Sequence, residues 1–550
     1  MEKNPQRARL FPLLVGGLPV LVYFGFLAAY AVNVPLFDDH ALRHFLVKYQ
    51  AAGTFAERFA LIFSQHNEHR IGYDRLVVLG QFLLTGEINF VGMMVVGNLS
   101  LLGLLWVFYR VFARTGRSLW AFVPVPYLLF SLVLHENTFW GMAALQNFTV
   151  VFFVVLTLYH LAQPTRRSLL WGCLGAVAAV YTSGNGFLLL PIGMGLLLIR
   201  RRWRDALLFS AVAAVCVGLY FTGYLPPPGN PDRIPLTEVG PYGRGLLLFL
   251  GAVGDGLTTS AWQRVPVLAA GVLLLAGATW IAARLLGRPA KEAGTEPELF
   301  LGGLVAFVLL TAVVVVYGRL SFGEHVLLTS RYKIYSVLLA IAGYLALLRV
   351  SRLPGWVPAG VLVGAVCWNV AMLRANLPEV VFHRKEMLTN SFNWTYSDNR
   401  LPPTDGYDRR RHPYRRPVAF YTADAPLLLR PVPPGAPLPT PLTRVELGTD
   451  ALVVDDPRPV PSASRDAGMY LLLKSPTRTF LFPTRFQTRA LPGLSAQAAG
   501  FSGAVPATEL PTGTYTLYLY EVAATRHRLW HTGRQVALVN PGRAGIETNW

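Results

Sequence analysis

Cysteine is nearly absent from this chain, with three in 550 residues, and that scarcity excludes a disulfide framework and a thiolate metal site. Cys173, Cys216 and Cys367 each fall inside an apolar stretch, so they leave the redox compartment open. Charge is scarce as well: 14% of residues are charged, against 53% hydrophobic. Long apolar runs carry that excess, which is the composition of a polytopic membrane protein and not of a soluble domain. Acids are the scarcer charge, 30 against 49 Lys and Arg, for a net +19. The arginines collect in short clusters between apolar runs, so membrane topology explains them and no nucleic-acid partner is expected. Internal repeats and low-complexity tracts are also lacking.

What is present is a series of apolar runs, each of about 20 residues, long enough to cross a bilayer as a helix. Eleven are read as spans, at 11–32, 88–112, 118–134, 147–162, 168–183, 186–200, 205–223, 263–286, 299–317, 333–349 and 356–373. The first exceeds the core of a cleaved signal peptide and is read as an uncleaved anchor. With the N-terminus inside, the inner loops carry Arg110, Arg114 and Arg117, then Arg166 and Arg167, Arg200 to Arg204, Arg284, Arg288 and Lys291, and Arg349 and Arg352. Every inner loop is basic, as the positive-inside rule requires. Loops 33–87, 135–146, 183–186, 224–262 and 318–332 then lie outside, with the C-terminal part. The expectation is an integral protein of a bacterial inner membrane, with a cytoplasmic N-terminus and an extracytoplasmic C-terminal domain.

The fold class expected is mainly α: a transmembrane helical bundle over 1–375, a basic Pro-containing linker over 376–416, and a β-sandwich over 417–550. The linker includes Arg409-Arg410-Arg411-His412, and the strands are read at 418–421, 444–447, 452–454, 469–473, 479–482, 515–522 and 535–539. Segment 73–85 reads as an extra, partly embedded helix, and the Gly-rich run 251–260 as a half-helix.

Polar residues concentrate in the outer loops. Asp38 and Asp39 follow the first span, and His66-Asn67-Glu68-His69-Arg70 follows two segments of helical period that suit the interface. Burying Asp38, Asp39, Glu68 and Arg70 unpaired in lipid would cost on the order of 10 kcal/mol, so both groups belong at the membrane surface. Either aspartate serves as an N-cap or faces a cleft, and the roles exchange between them. The second cluster offers metal ligands or an anion-binding and proton-handling group; its spacing is not His-Glu-x-x-His, and Asp38, Asp39 and Glu68 suit Mg²⁺ or Mn²⁺ better than zinc. Glu136, Asn137 and Asn185 lie in outer turns. Arg319 and Arg331-Tyr332 stand near the tenth span, where a guanidinium fork suits a lipid-linked phosphate or pyrophosphate, and snorkelling to head groups is the competing role.

Together these residues resemble the membrane glycosyltransferases of the GT-C fold, the class of the protein mannosyltransferases and the aminoarabinose transferase of lipid A. The shared signs are the carboxylate pair Asp38-Asp39 in a long first outer loop, Arg331-Tyr332 leading into a late span, and a soluble outer domain after the last span. Many members carry Asp-Glu where this chain has Asp38-Asp39. The resemblance implies a polyprenyl-phosphate sugar donor entering from the lipid and a glycan, lipid or protein acceptor. It implies Asp38 or Asp39 as base and Arg319 and Arg331 with His69 and Arg70 around the phosphate, and position in the outer loops then puts Glu68, His66, Glu136, Asn137, Asn185 and Tyr332 near the substrates. A divalent cation, oligomeric state and choice of sugar stay open. The rival readings are a transporter or flippase of lipid-linked glycan, which the nearly charge-free span interiors disfavour, and a scaffold for envelope assembly. Tyr515, Tyr518 and Tyr520 offer a sugar platform unless strand alternation buries them.

Overall fold

The computed structural model describes residues 5–226, 233–257, 264–286, 295–350, 353–396, 424–431, 433, 435–487, 497–524 and 526–540. The chain divides into two compact units, one of residues 1–28, 45–84 and 92–375, the other of residues 29–44, 85–91 and 376–550. Asp38 and Asp39 therefore belong with the C-terminal part and not with the helical one, unlike the boundary read from the sequence. Arg288, Lys291 and Arg352, the basic run 409–416 and the expected strand 418–421 lie outside the described residues.

The first unit is helical. All eleven expected runs are helical over most of their length, and among the described residues eight helices are long and apolar enough to cross a membrane, from Leu10–Tyr30 to Trp356–Asn393. These are the features of a membrane protein. The other three, Arg166–Val180, Gly184–Ile199 and Lys333–Leu347, are shorter. At 1.5 Å per residue a helix of 15 residues reaches about 22 Å, less than the roughly 30 Å of a hydrocarbon core. Apolar side chains such as Leu21, Leu207, Leu273 and Val363 face outward, as lipid contact requires.

Helix Glu296–Arg319 occupies the interior and packs against Thr149–Leu161, Leu189–Ile199, Val239–Leu250, Arg264–Leu286 and Lys333–Leu347. With lipid as solvent, association relies on close backbone approach at small residues. A Cβ on Gly251 would stand 1.9 Å from the Val267 carbonyl oxygen, and one on Gly271 2.2 Å from that of Leu247. The helix Val239–Leu250 lies in what the sequence presents as an outer loop; its glycines and Pro241 hide the period. In the Gly-rich run, the half-helix reduces to a 3₁₀ turn, Ala252–Gly254, and residues 258–260 are outside the described set. The third run is broken into short turns on either side of Pro124 and Pro126, which cannot donate to a continuous ladder.

The second unit is β-rich. A five-stranded sheet is ordered β3 (Ala436–Pro437), β11 (His527–Leu538), β10 (Gly513–Val522), β6 (Gly468–Lys474), β7 (Thr479–Pro483). A four-stranded sheet is ordered β4 (Arg444–Leu447), β5 (Ala451–Pro461), β9 (Gln497–Pro506), β8 (Arg485–Phe486). Residues of both sheets, among them Val454, Leu471, Phe482, Phe501 and Leu517, form one core. Strands β6 and β7 are buried throughout, because the opposite face of the larger sheet is covered too. Met387, Leu388 and Phe392 pack there with Val32, Val34, Leu472, Tyr518 and Tyr520. The sugar platform is thereby ruled out: Tyr515, Tyr518 and Tyr520 are all buried.

The linker expectation is corrected at the same place. Helix Trp356–Tyr396 runs 41 residues without a break, so 376–396 are helix and not linker. The polar residues that suggest a linker are its attachments. Arg384 pairs with Asp466 at 2.7 Å, Lys385 donates to the Thr484 carbonyl at 2.9 Å, and both amide atoms of Asn393 bond the backbone of Leu481. Asn393 thus closes the open edge of β7, which would otherwise present unpaired groups.

Because Arg384 is buried, removing its partner strands a charge; Asp466→Ala is expected to lower stability by about 3 kcal/mol. Thermal unfolding of the full-length protein in detergent, followed by proteolysis of the C-terminal unit, measures this. An unshifted transition would show that the ion pair does not fasten the helix.

Candidate functional site

Residues 319–333 organise the polar side of the helical unit. After Arg319 the chain makes three 3₁₀ turns, Leu320–Phe322, Glu324–Leu328 and Ser330–Tyr332, before helix Lys333–Leu347 begins. Gly323, at φ 105°, allows the reversal between the first two. Four ion pairs then tie this one segment to four distant parts of the chain. Arg319 meets Glu68 at 3.0 Å, Glu324 meets Arg244 at 2.6 Å, Arg331 meets Glu136 at 3.4 Å, and Lys333 meets Asp255 at 2.8 Å.

Glu68 sits in the hairpin of β1 (Gln65–His66) and β2 (His69–Arg70), where Asn67 takes φ 48°, a conformation Asn tolerates. The His69 ring accepts from the Gly184 N–H at 3.3 Å through Nδ1, which turns Nε2 toward Glu68, 3.9 Å away. Burial pushes both imidazoles below their ordinary range, His66 to about 4 with help from Arg75 and His69. Burial pushes the Glu68 carboxyl up, but His69, a backbone N–H and Arg319 outweigh it and hold it below the usual range. Glu68 is ionised and both histidines are neutral at pH 7.

Arg70 does not meet the expectation of a phosphate ligand. Its guanidinium donates to the carbonyls of Tyr220, Phe63 and Thr222, each at 2.5 Å, and it is buried. It is a clamp between the hairpin and helix Trp203–Phe221. Asn185 is committed likewise, donating to the Tyr335 hydroxyl at 2.8 Å and accepting from Thr311 at 3.2 Å. Tyr332 packs its ring 5.9 Å from Phe249.

Glu136 and Asn137 occupy the short helix His135–Thr138. A buried network fixes it: the Tyr23 hydroxyl lies 2.6 Å from both Asn98 Oδ1 and Thr138 Oγ1, and Asn98 donates to the Thr138 carbonyl at 3.1 Å. Ser330 donates to the Val133 carbonyl and accepts from the Glu136 N–H. The Asn137 amide donates to the Arg331 carbonyl at 3.1 Å, and Asn147 donates to Asn137 at 2.9 Å. The Arg331 guanidinium also lies over the Trp140 ring, 5.5 Å from its centre. Among the described residues its terminal amino groups make no hydrogen bond, and Arg331 is 38% exposed. Arg319 and Arg331 are therefore oriented guanidinium groups with donors to spare for an anion.

In the second unit, Asp39 is fully buried in the first turn of helix Asp39–Ala51, and its carboxylate accepts from the Leu36 N–H at 3.0 Å. Asp38 is half-buried, and the residue before it, Phe37, is held at φ 42°. A bulky residue at positive φ stores about 1–3 kcal/mol of strain, a feature that clusters at functional sites. Asp39 is therefore committed to the turn that precedes its helix, and Asp38 is the more accessible carboxylate.

Among the described residues, no three of His, Cys, Asp and Glu converge as a metal site. Sequence reasoning could not pair these groups, and it passed over Arg244, whose loop offers no period or motif. A separate cleft, lined by Arg114, Gln163, Glu296 and Phe300 among others, contains none of these residues. Comparisons with protein-family models, curated proteins and solved structures find no match.

The two histidines bind protons more weakly folded than unfolded, so their contribution is complete above about pH 6.5 and lost as pH falls toward 4. The thermal midpoint should fall across that window, and less steeply in His66→Gln. Parallel curves for the two proteins would exclude the hairpin as the titrating element.

Proposed function

We propose that this chain is a membrane glycosyltransferase of the GT-C type, moving a sugar from a polyprenyl-phosphate donor to an extracytoplasmic glycan, lipid or protein acceptor. In this reading the eight long helices cross the bilayer and the three shorter runs cross together with their flanking turns, the N-terminus is cytoplasmic, and the two sheets form an extracytoplasmic β-sandwich. The observation that carries the proposal is the pair of half-exposed couples Glu68–Arg319 and Glu136–Arg331. Each carboxylate holds its arginine in place in a chain whose apolar helices give a lipid-borne substrate access.

The chemistry follows from those residue types. The acceptor hydroxyl attacks the anomeric carbon and gives its proton to a carboxylate, for which the resemblance offers Asp38 or Asp39, Asp38 being the more accessible of the two. The bond from anomeric carbon to phosphate oxygen breaks, and the electron pair leaves with the polyprenyl phosphate. Arg319 and Arg331 neutralise the charge that develops on that oxygen, the task for which oriented cations are most effective. Glu68 and His69 hold Arg319 ready, and Arg70 keeps the hairpin in place.

Asp38→Asn should lower the rate of sugar transfer by roughly 10²-fold or more while leaving the protein folded. Asp39→Asn should chiefly lower stability, and Arg319→Gln and Arg331→Gln should each weaken donor use by about tenfold. Transfer assays with membranes carrying each variant, paired with mass spectrometry of envelope glycans from cells with and without the protein, decide it. Undiminished transfer in Asp38→Asn and Asp39→Asn alike would sink the base assignment, and an unchanged glycan profile the proposal.

A further inference from the structure

One turn of the helical unit departs from α-helix where it meets the Arg331 couple. Residues Ala144–Phe148 form a π-helical turn, a rare geometry that widens the helix and recurs at functional sites. Its immediate neighbour is backbone: a Cβ on Gly97 would lie 2.3 Å from the Ala144 carbonyl carbon, so only glycine lets the helix Phe90–Ala113 come this close. The turn carries Gln146 and Asn147 side by side, both half-buried. Asn147 is bonded to Asn137, and Asn137 to the backbone of Arg331. The Nε2 amide of Gln146 is buried and makes no hydrogen bond among the described residues. Such a group is rare in a native structure and calls for a partner.

We propose that Gln146 and Asn147, with Glu136 and Arg331, form the subsite that recognises the sugar ring, and that the ring it takes is electrically neutral. This rests on the sugar-transfer reading and adds a substrate class to it. A carboxamide offers a donor and an acceptor on one planar group, which matches neighbouring hydroxyls that each donate and accept. Trp140 is itself buried beneath the Arg331 guanidinium and holds that group in place. The only charges in the cluster, Glu136 and Arg331, cancel each other. With Glu136 already paired to Arg331 and the remaining Arg331 donors taken by the donor phosphate, a uronate or an amino sugar would bring a charge that finds no unpaired partner in the cluster, so both are disfavoured.

The test uses the full-length protein in nanodiscs and four synthetic lipids of one chain length. These are the polyprenyl methyl phosphodiester, which has the donor's charge and no sugar, and the phosphodiesters of a neutral hexose, a hexuronate and an amino sugar. Affinities are measured for the wild type, Gln146→Met and Asn147→Leu. The neutral glycosyl lipid is expected to bind about tenfold more tightly than the methyl diester, with both charged sugars weaker than the neutral one. In Gln146→Met the ratio of neutral-sugar to methyl-diester affinity should fall toward one. A charged sugar that binds as well as the neutral one, or a ratio that survives both substitutions, overturns the proposal. If the variants fail to fold, the four wild-type affinities alone decide it. Binding of the methyl diester with no gain from any sugar removes this subsite but leaves the donor reading; no binding by any of the four removes both.

Discussion

Ion pairs made by a single segment hold the polar side of the helical unit together. In a chain that is 53% hydrophobic, charges are expensive wherever lipid is near, and each of Arg319, Glu324, Arg331 and Lys333 is matched by an opposite charge from elsewhere in the chain. The matching fixes where the hairpin, the helix Val239–Leu250, the turn at His135–Thr138 and the Gly-rich turn stand relative to this segment. It also leaves Arg319 and Arg331 half-exposed and pre-oriented, and the functional proposal depends on that state.

Neutral polar groups finish the work that the ion pairs begin. Tyr23, Asn98 and Thr138 satisfy one another inside the bundle and set the turn that carries Glu136. Ser336 accepts from the Val253 N–H and donates to the Leu250 carbonyl, and Trp368 donates to the Val253 carbonyl, so the turn bearing Asp255 is held from two helices. Low dielectric makes such networks strong when complete and costly when broken.

The second unit solves a different problem. Its larger sheet is apolar on both faces, so the four-stranded sheet covers one face and the helical segment after residue 376, with residues from the first loop, covers the other. The same packing orders the stretch that holds Asp38 and Asp39. There Asp39 is committed to the Leu36 N–H and Phe37 is strained, a local arrangement that separates two adjacent, chemically identical side chains into a structural one and an accessible one.

The helices were legible because apolar length is a local property: each of the eleven runs could be read without knowing its neighbours, and each is helical. Strands that are continuous apolar runs, such as Met469 to Leu473, were legible for the same reason, whereas Gln497–Pro506, rich in Ala and Gly, has little strand propensity and is a strand because β5 pairs with it. The sequence alone determined which residues are ionisable and that they fall between apolar runs, since composition and order are all that property needs. Tertiary structure alone decided their partners: that Arg70 is a clamp while Arg331 keeps donors exposed, that Lys385 and Asn393 fasten a helix, and that Gln146 lies on a widened turn. A hydrogen bond or ion pair reaches only a few ångströms, and residues 68 and 319, or 136 and 331, come that near only when the whole bundle has closed.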